Sequence, residues 1–175
     1  NKTILIKNNK EFNKLWNDSL IYSEKARIKI MRSGLRDFGA IKSTFIPNTT
    51  LFPVLGALLL SLDKDSAIGN ISKDKFVEKI YKWYWCAVIS GDYSGSSDSI
   101  MSQDYREVLE WLRDDEKVPE RVNKINNVFI EKSLNLEKVK NTNNSRYCAI
   151  LNLLALKSSR DWFTYEILGN YPVIQ

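Results

Sequence analysis

The sequence predicts an all-α protein, an irregular bundle of about six helices, on three observations. Apolar residues recur at three-, four- and seven-residue spacings, no segment beyond the first few residues alternates as a strand does, and Gly, Asn and Ser punctuate the periodic stretches. The chain has 175 residues, of which 43% are hydrophobic and 11% aromatic, enough to bury a real core. No stretch has the composition of a linker and no internal repeat is present. Residues 1–175 therefore read as a single helical domain, and the non-Met start and abrupt end at Gln175 suggest a piece of a larger multidomain protein.

Thr3–Ile6 alternates weakly, so a short N-terminal strand is one reading and a frayed end the other. From Lys10 to about Leu35 the pattern is helical, with Phe12, Leu15, Trp16, Ile21, Ile28, Met31 and Leu35 as its apolar side; Gly34 and Gly39 end it. Asn48, Thr49 and Thr50 are candidate N-caps for a second helix, which tolerates Pro53 in its first turn. Leu51, Val54, Leu55, Leu58, Leu59 and Leu62 place that helix in the core. Ser72 caps a third helix with Phe76, Val77, Ile80, Trp83, Tyr84, Ala87 and Val88 on a broad apolar face, stopped by Gly91. Gly91–Ser99 is a loop by composition. A fourth helix carries Met101, Tyr105, Val108, Leu109 and Leu112 on one side, and Pro119 opens a fifth with Val122, Ile125, Phe129 and Ile130 inward. Tyr147–Leu156, apolar almost all round, predicts a buried final helix.

Composition narrows the chemistry. There is no histidine, which removes Ser-His-Asp and Cys-His catalysis, His-ligated zinc and every His-based nuclease. Carboxylates with a metal remain conceivable, but the acids lie on polar faces without metal-ligand spacing, so no catalytic, metal or cofactor site is expected here. Asp114, Asp115 and Glu116 read as solvated turn residues. Cys86 and Cys148 sit in apolar helical patterns, which points to buried thiols and a reducing, cytoplasmic compartment. The apolar run Leu51–Leu62 is too short to span a bilayer, and no membrane partner is expected.

Charge is uneven. Residues 1–50 hold ten Lys or Arg against four acids, a net +6, whereas the remaining residues carry −1. Lys25, Lys29, Arg32 and Arg36, spaced i, i+4, i+7 and i+11, would form one stripe on a helix and are the candidate nucleic-acid contact. A solvated face explains the same residues more simply, since no base-reading motif accompanies them. The Gly91–Ser99 loop leads into a helix N-terminus, where anions bind, but it lacks the phosphate-loop lysine, and Asp92 and Asp98 would repel phosphate. Of Tyr81, Trp83, Tyr84 and Trp85, core packing claims Trp83 and Tyr84, leaving Trp85 or Tyr81 as the exposed aromatics. Arg160 and Asp161 form a candidate local clamp after the last helix.

Two segments resemble a known family. Ile80–Ser96, with Trp83, Tyr84 and Trp85 running into Gly91, Asp92, Tyr93, Ser94, Gly95 and Ser96, is similar to the helix-plus-loop of GmrSD-type restriction proteins, also called domain of unknown function 262. There an aspartate follows on the next helix, here Asp104. Tyr147–Leu156 followed by Ser159, Arg160, Asp161 and Trp162 resembles the later leucine-rich helix and R-D-[FW] element of the same proteins. The likeness covers about residues 45–170. It implies that Trp83, Trp85, Gly91, Tyr93, Ser94, Gly95, Asp104, Arg160 and Asp161 are structural motif residues. It also implies a helical region between a nucleotide-handling module and a His-Asn-His nuclease, in a protein that restricts modified DNA. Neither the D-G-Q-Q-R motif nor the His-Asn-His motif of those modules occurs here. The expected role is a non-catalytic connector whose partners are the flanking modules and DNA, with a protein-interaction scaffold as the alternative.

Overall fold

Ser72 opens the helix on which most of the molecule packs. In the computed structural model, which describes residues 8–34, 36–64, 68, 71–94, 98–134, 144–157 and 160, the Ser72 side chain accepts a hydrogen bond from the Lys75 amide at 3.2 Å and so caps α3 (Lys73–Ser90). Gly91 ends it in the left-handed conformation, φ +74°. The other helices are α1 (Asn9–Met31), α2 (Leu51–Lys64), α4 (Asp98–Arg113), α5 (Glu120–Lys124), α6 (Asn127–Ser133) and α7 (Ser145–Leu156). Short 3₁₀ turns lie at Ser43–Phe45 and Asp92–Ser94. The described residues contain no strand, so the protein is all-α; the Thr3–Ile6 alternation lies outside them. No helix among the described residues is long and apolar enough to cross a membrane.

α3 meets α4, α5, α6 and α7, while α2 bridges α1 and α4. Trp83 and Tyr84 are wholly buried, and Phe38 stacks on Tyr84 with centroids 3.8 Å apart. Burying side chains of this size contributes about 2–3 kcal/mol each before conformational entropy is counted. The segment after α1 is held by backbone hydrogen bonds that return Phe38 to Lys29 and Ala40 to Ile30. Gly39, φ +77°, lies so close to the Asn152 carbonyl that a β-carbon would stand 2.5 Å from it.

Several sequence expectations shift. The region after Pro119 is two helices: Asn126 accepts from the Phe129 amide at 2.9 Å and caps a fresh one, because an Asx cap competes with helix continuation. α1 buries Tyr22, Ala26, Ile30 and Met31, whereas Phe12, Leu15, Trp16 and Ile21 are exposed. At 100° per residue Phe12, Leu15 and Trp16 lie on the same side of α1 as buried Ala26 and Ile30, and they are exposed because α2 covers that side only toward the C-terminal end. α7 is not buried all round; Cys148, Ala149, Asn152 and Ala155 face inward and Leu154 is exposed. Of Tyr81 and Trp85, the two rings expected outside the core, Tyr81 is partly exposed and Trp85 is buried, with Phe38, Tyr81 and Tyr84 packed around it edge-on or T-shaped.

Candidate functional site

Asp104 projects from the inward side of α4, where Val108 and Leu112 are also buried. A carboxylate there requires donors, because an unpaired charge away from water is strongly unfavourable. Three elements supply them. Trp83 of α3 donates its Nε1 to Oδ2 at 3.0 Å, and Tyr93 of the 3₁₀ turn donates its hydroxyl to the same oxygen at 2.7 Å. Arg121 of α5 donates Nε to Oδ2 at 2.8 Å and to Oδ1 at 3.1 Å.

Arg121 extends the network. Its guanidinium also donates to Ser90 Oγ at 3.0 Å and to Asp92 Oδ2 at 2.6 Å, and lies over the Tyr93 ring. Burial works against its charge, but the hydrogen bonds and negative charge of Asp104, with the hydrogen bond to Asp92, more than offset this and hold the group above its usual range. Burial, then the charge of Asp104, pushes the Tyr93 phenol up, so it stays protonated and donates. Arg146 of α7 donates Nε to the Ile89 carbonyl and a terminal nitrogen to that of Ser90, each at 2.8 Å, satisfying the open end of α3. Asn48 reaches from before α2, donating to the Tyr93 carbonyl at 3.0 Å while its own Oδ1 holds Thr50.

Beside the network lies a recess of about 200 Å³ lined by Asp92, Ile100, Gln103, Asp104, Glu107, Glu120, Arg121 and Lys124. Three of its four acids, Asp92, Asp104 and Glu107, are engaged in the fold: Glu107 accepts from Gln103 Nε2 at 2.7 Å and caps the Glu120 amide at 3.0 Å. No group of three or more His, Cys, Asp or Glu side chains among the described residues could hold a metal. The arrangement holds the Tyr93 hydroxyl and the Asp104 carboxylate buried against each other and Arg121. Its chemistry is that of a buried, charge-compensated clamp joining α3, α4 and α5 with the Asp92–Ser94 turn.

The structure therefore brings Trp83, Tyr93 and Asp104 together, while Gly91 ends α3. Trp85 stands apart, its Nε1 buried without a hydrogen-bond partner. Ser94 closes the 3₁₀ turn, and Gly95 lies outside the described residues, as does Asp161; Arg160 is exposed. Arg121, the cation that completes the network, was not foreseen. The available signal was Asp104 itself, an acid on the apolar side of α4 that demands a partner.

The basic residues do not form the expected stripe. α1 ends at Met31, so Arg32 is its C-cap and Arg36 lies beyond it with φ +66°. Lys25 pairs with Asp63 at 2.9 Å, Lys29 bonds the Arg36 carbonyl at 3.0 Å and lies 3.6 Å from Asp37, and Arg36 pairs with Asp74. These cations fasten α1 and the following loop to α2 and α3. Asp115 likewise is no bare turn acid, since it receives Lys75 and Lys79 of α3.

No family model and no solved structure matches the chain. The uncharacterized protein MJ0686 of Methanocaldococcus jannaschii is 33% identical to it over 97 residues. That stretch is 55% of this chain and 17% of the archaeal protein, so the likeness spans a small part of a much longer relative.

Proposed function

We propose that this chain is a non-catalytic helical connector domain of a modification-dependent DNA restriction protein. The observation that supports it best is the Asp104–Arg121 network. It gathers Trp83, Tyr93 and Asp104, three residues of the motif that resembles GmrSD-type proteins, and their polar groups are taken up by one another and by Arg121. A connector that transmits a change between a nucleotide-handling module and a nuclease must move as a body, and such a clamp makes α3, α4 and α5 one body. The archaeal likeness, confined to a small part of a longer chain, is in keeping with a domain that serves inside a larger protein.

Contact with DNA through Lys25, Lys29, Arg32 and Arg36 is the weaker part of this reading, because Lys25, Lys29 and Arg36 already face acids. The exposed apolar side of α1 favours the alternative emphasis, a protein-interaction scaffold.

The test is to assay the purified 175-residue protein for cleavage of modified duplex DNA and for nucleoside-triphosphate hydrolysis, with magnesium and with manganese. DNA affinity is followed as salt rises from about 50 to about 200 mM. Inactivity in both assays supports the connector. A weak affinity that fades with salt and is lost on reversal of Arg32 and Arg36 supports the DNA contact; salt-insensitive or absent binding removes it. Metal-dependent cleavage by this protein would overturn the proposal.

A further inference from the structure

The N-terminal half of α1 presents an apolar stripe to solvent. Phe12, Leu15, Trp16 and Leu20 are 47%, 42%, 56% and 54% exposed, and the Phe12 and Trp16 rings stack with centroids 6.1 Å apart. At 100° per residue these four, with Ser19 and Ser23, occupy one face of the helix. Lone exposed apolar residues need no explanation, but four on one face do. Immediately along the same face lies a groove of about 140 Å³ between α1 and α2. Ser19, Ser23, Pro53, Gly56 and Ala57 keep it shallow-walled. The two backbones approach so closely that a β-carbon on Gly56 would lie 3.0 Å from the Tyr22 carbonyl. Ser19 turns its hydroxyl back onto the Leu15 carbonyl at 2.8 Å, and the Tyr22 hydroxyl and Asp18 carboxylate of the lining are held by Asp63 and Lys64, so of the groove's polar side chains only the Ser23 hydroxyl must find a partner when an apolar group enters.

Knob and hole on one helix face make a self-complementary surface, the requirement for a two-fold interface. We propose that a second copy of this chain docks here, α1 against α1 in antiparallel register. Pairing residue i with residue 35 − i sets Trp16 level with Ser19 of the partner copy and Phe12 level with its Ser23. Each aromatic knob then meets the small-residue groove of the other copy, with Leu15 and Leu20 flanking the seam. A half-exposed aromatic leaves about 100 Å² uncovered and a half-exposed leucine slightly less. Four such side chains from each copy, with the polar rim around them, reach about 1,000 Å² in total, the lower bound for a specific interface. A dimer in the micromolar range follows. This inference is independent of the connector role and stands or falls separately.

The experiment is sedimentation equilibrium of the 175-residue protein from about 1 to about 300 µM, the range in which a micromolar dimer dissociates. Trp16→Glu, Phe12→Ser and, on the opposite face of α1, Lys14→Glu are run beside it, with helical content checked by circular dichroism. A concentration-dependent dimer that Trp16→Glu and Phe12→Ser each weaken at least about thirty-fold, and Lys14→Glu leaves intact, is the result expected of central aromatic contacts. A monomer throughout the range would overturn the proposal and assign the stripe to a different partner or to the rest of the chain. A dimer indifferent to Trp16→Glu and Phe12→Ser would overturn it as well.

Discussion

Arg121 Nε lies 2.8 Å from Asp104 Oδ2, and both side chains are almost wholly withdrawn from water, at 9% and 2% exposed. An ion pair this deep costs desolvation on both sides and is tolerated because Trp83 and Tyr93 complete the carboxylate's hydrogen bonds. Each of those donors is therefore expected to matter on its own. Trp83→Phe and Tyr93→Phe should each destabilise the fold by about 1.5–3 kcal/mol, the range for hydrogen bonds to a charged group. Urea unfolding followed by circular dichroism measures this.

Tyr84 is the counter-case. Its hydroxyl is buried with no hydrogen-bond partner in the structure. Removing an unsatisfied group removes a desolvation cost, so Tyr84→Phe should leave stability within about 0.5 kcal/mol or raise it. A loss like that of Tyr93→Phe would show that the hydroxyl is bonded after all.

Alkaline pH should weaken the fold. Burial raises Tyr84 and Tyr93 above their ordinary value of 10.0, and raises the Cys86 and Cys148 thiols above 9.0. Groups raised in the native state hold protons that the unfolded chain releases. Their contribution is complete below the unfolded values and is lost progressively as pH rises above about 9–10. The urea midpoint should be level between about pH 7 and pH 8.5 and fall beyond it, and Tyr84→Phe should lessen the fall. At the acid end, the hydrogen bonds from Lys25 and then Tyr22 hold the Asp63 carboxyl below its usual range. That contribution is present above about pH 4 and fades below it, and at this half-exposed pair it is small and salt-sensitive.

Two glycines separate backbone strain from collision. Both Gly39 and Gly91 have positive φ, so alanine costs about 1 kcal/mol or more at either. At Gly91 the new β-carbon meets the tip of Arg146 at 3.0 Å, a side chain that can yield. At Gly39 it meets the Asn152 carbonyl at 2.5 Å, which cannot move without α7. Gly39→Ala should be the more damaging by at least about 1 kcal/mol in thermal or urea unfolding.

The helices were legible where the sequence carries both a cap and a strong period. Ser72 and Gly91 bound α3 as their types suggest, and Leu51 starts α2 as expected. Coverage was harder. Phe12 and Trp16 share the inward side of α1 with Ala26 and Ile30, and only the reach of α2, a long-range fact, decides that Ala26 and Ile30 are buried while Phe12 and Trp16 are not. The network was half legible. Trp83, Tyr93 and Asp104 could be picked out by their motif, but Arg121 sits on a five-residue helix with no periodic signature of its own. The basic stripe failed for a local reason, because α1 stops at Met31 and the chain turns before Arg36.

The central claim is that Asp104 and its partners form a structural clamp, and a double-mutant cycle tests it most directly. Asp104→Ala, Arg121→Ala and the double variant are compared by urea unfolding, with the double-mutant coupling as the readout. Arg121→Ala strands the buried Asp104 charge and should cost about 3–5 kcal/mol, Asp104→Ala leaves Arg121 on Asp92 and should cost less, about 2–3 kcal/mol, and the double variant should cost little more than Arg121→Ala alone. Additive losses, or an Asp104→Ala protein as stable as the parent, would contradict the account and point instead to a carboxylate kept for chemistry.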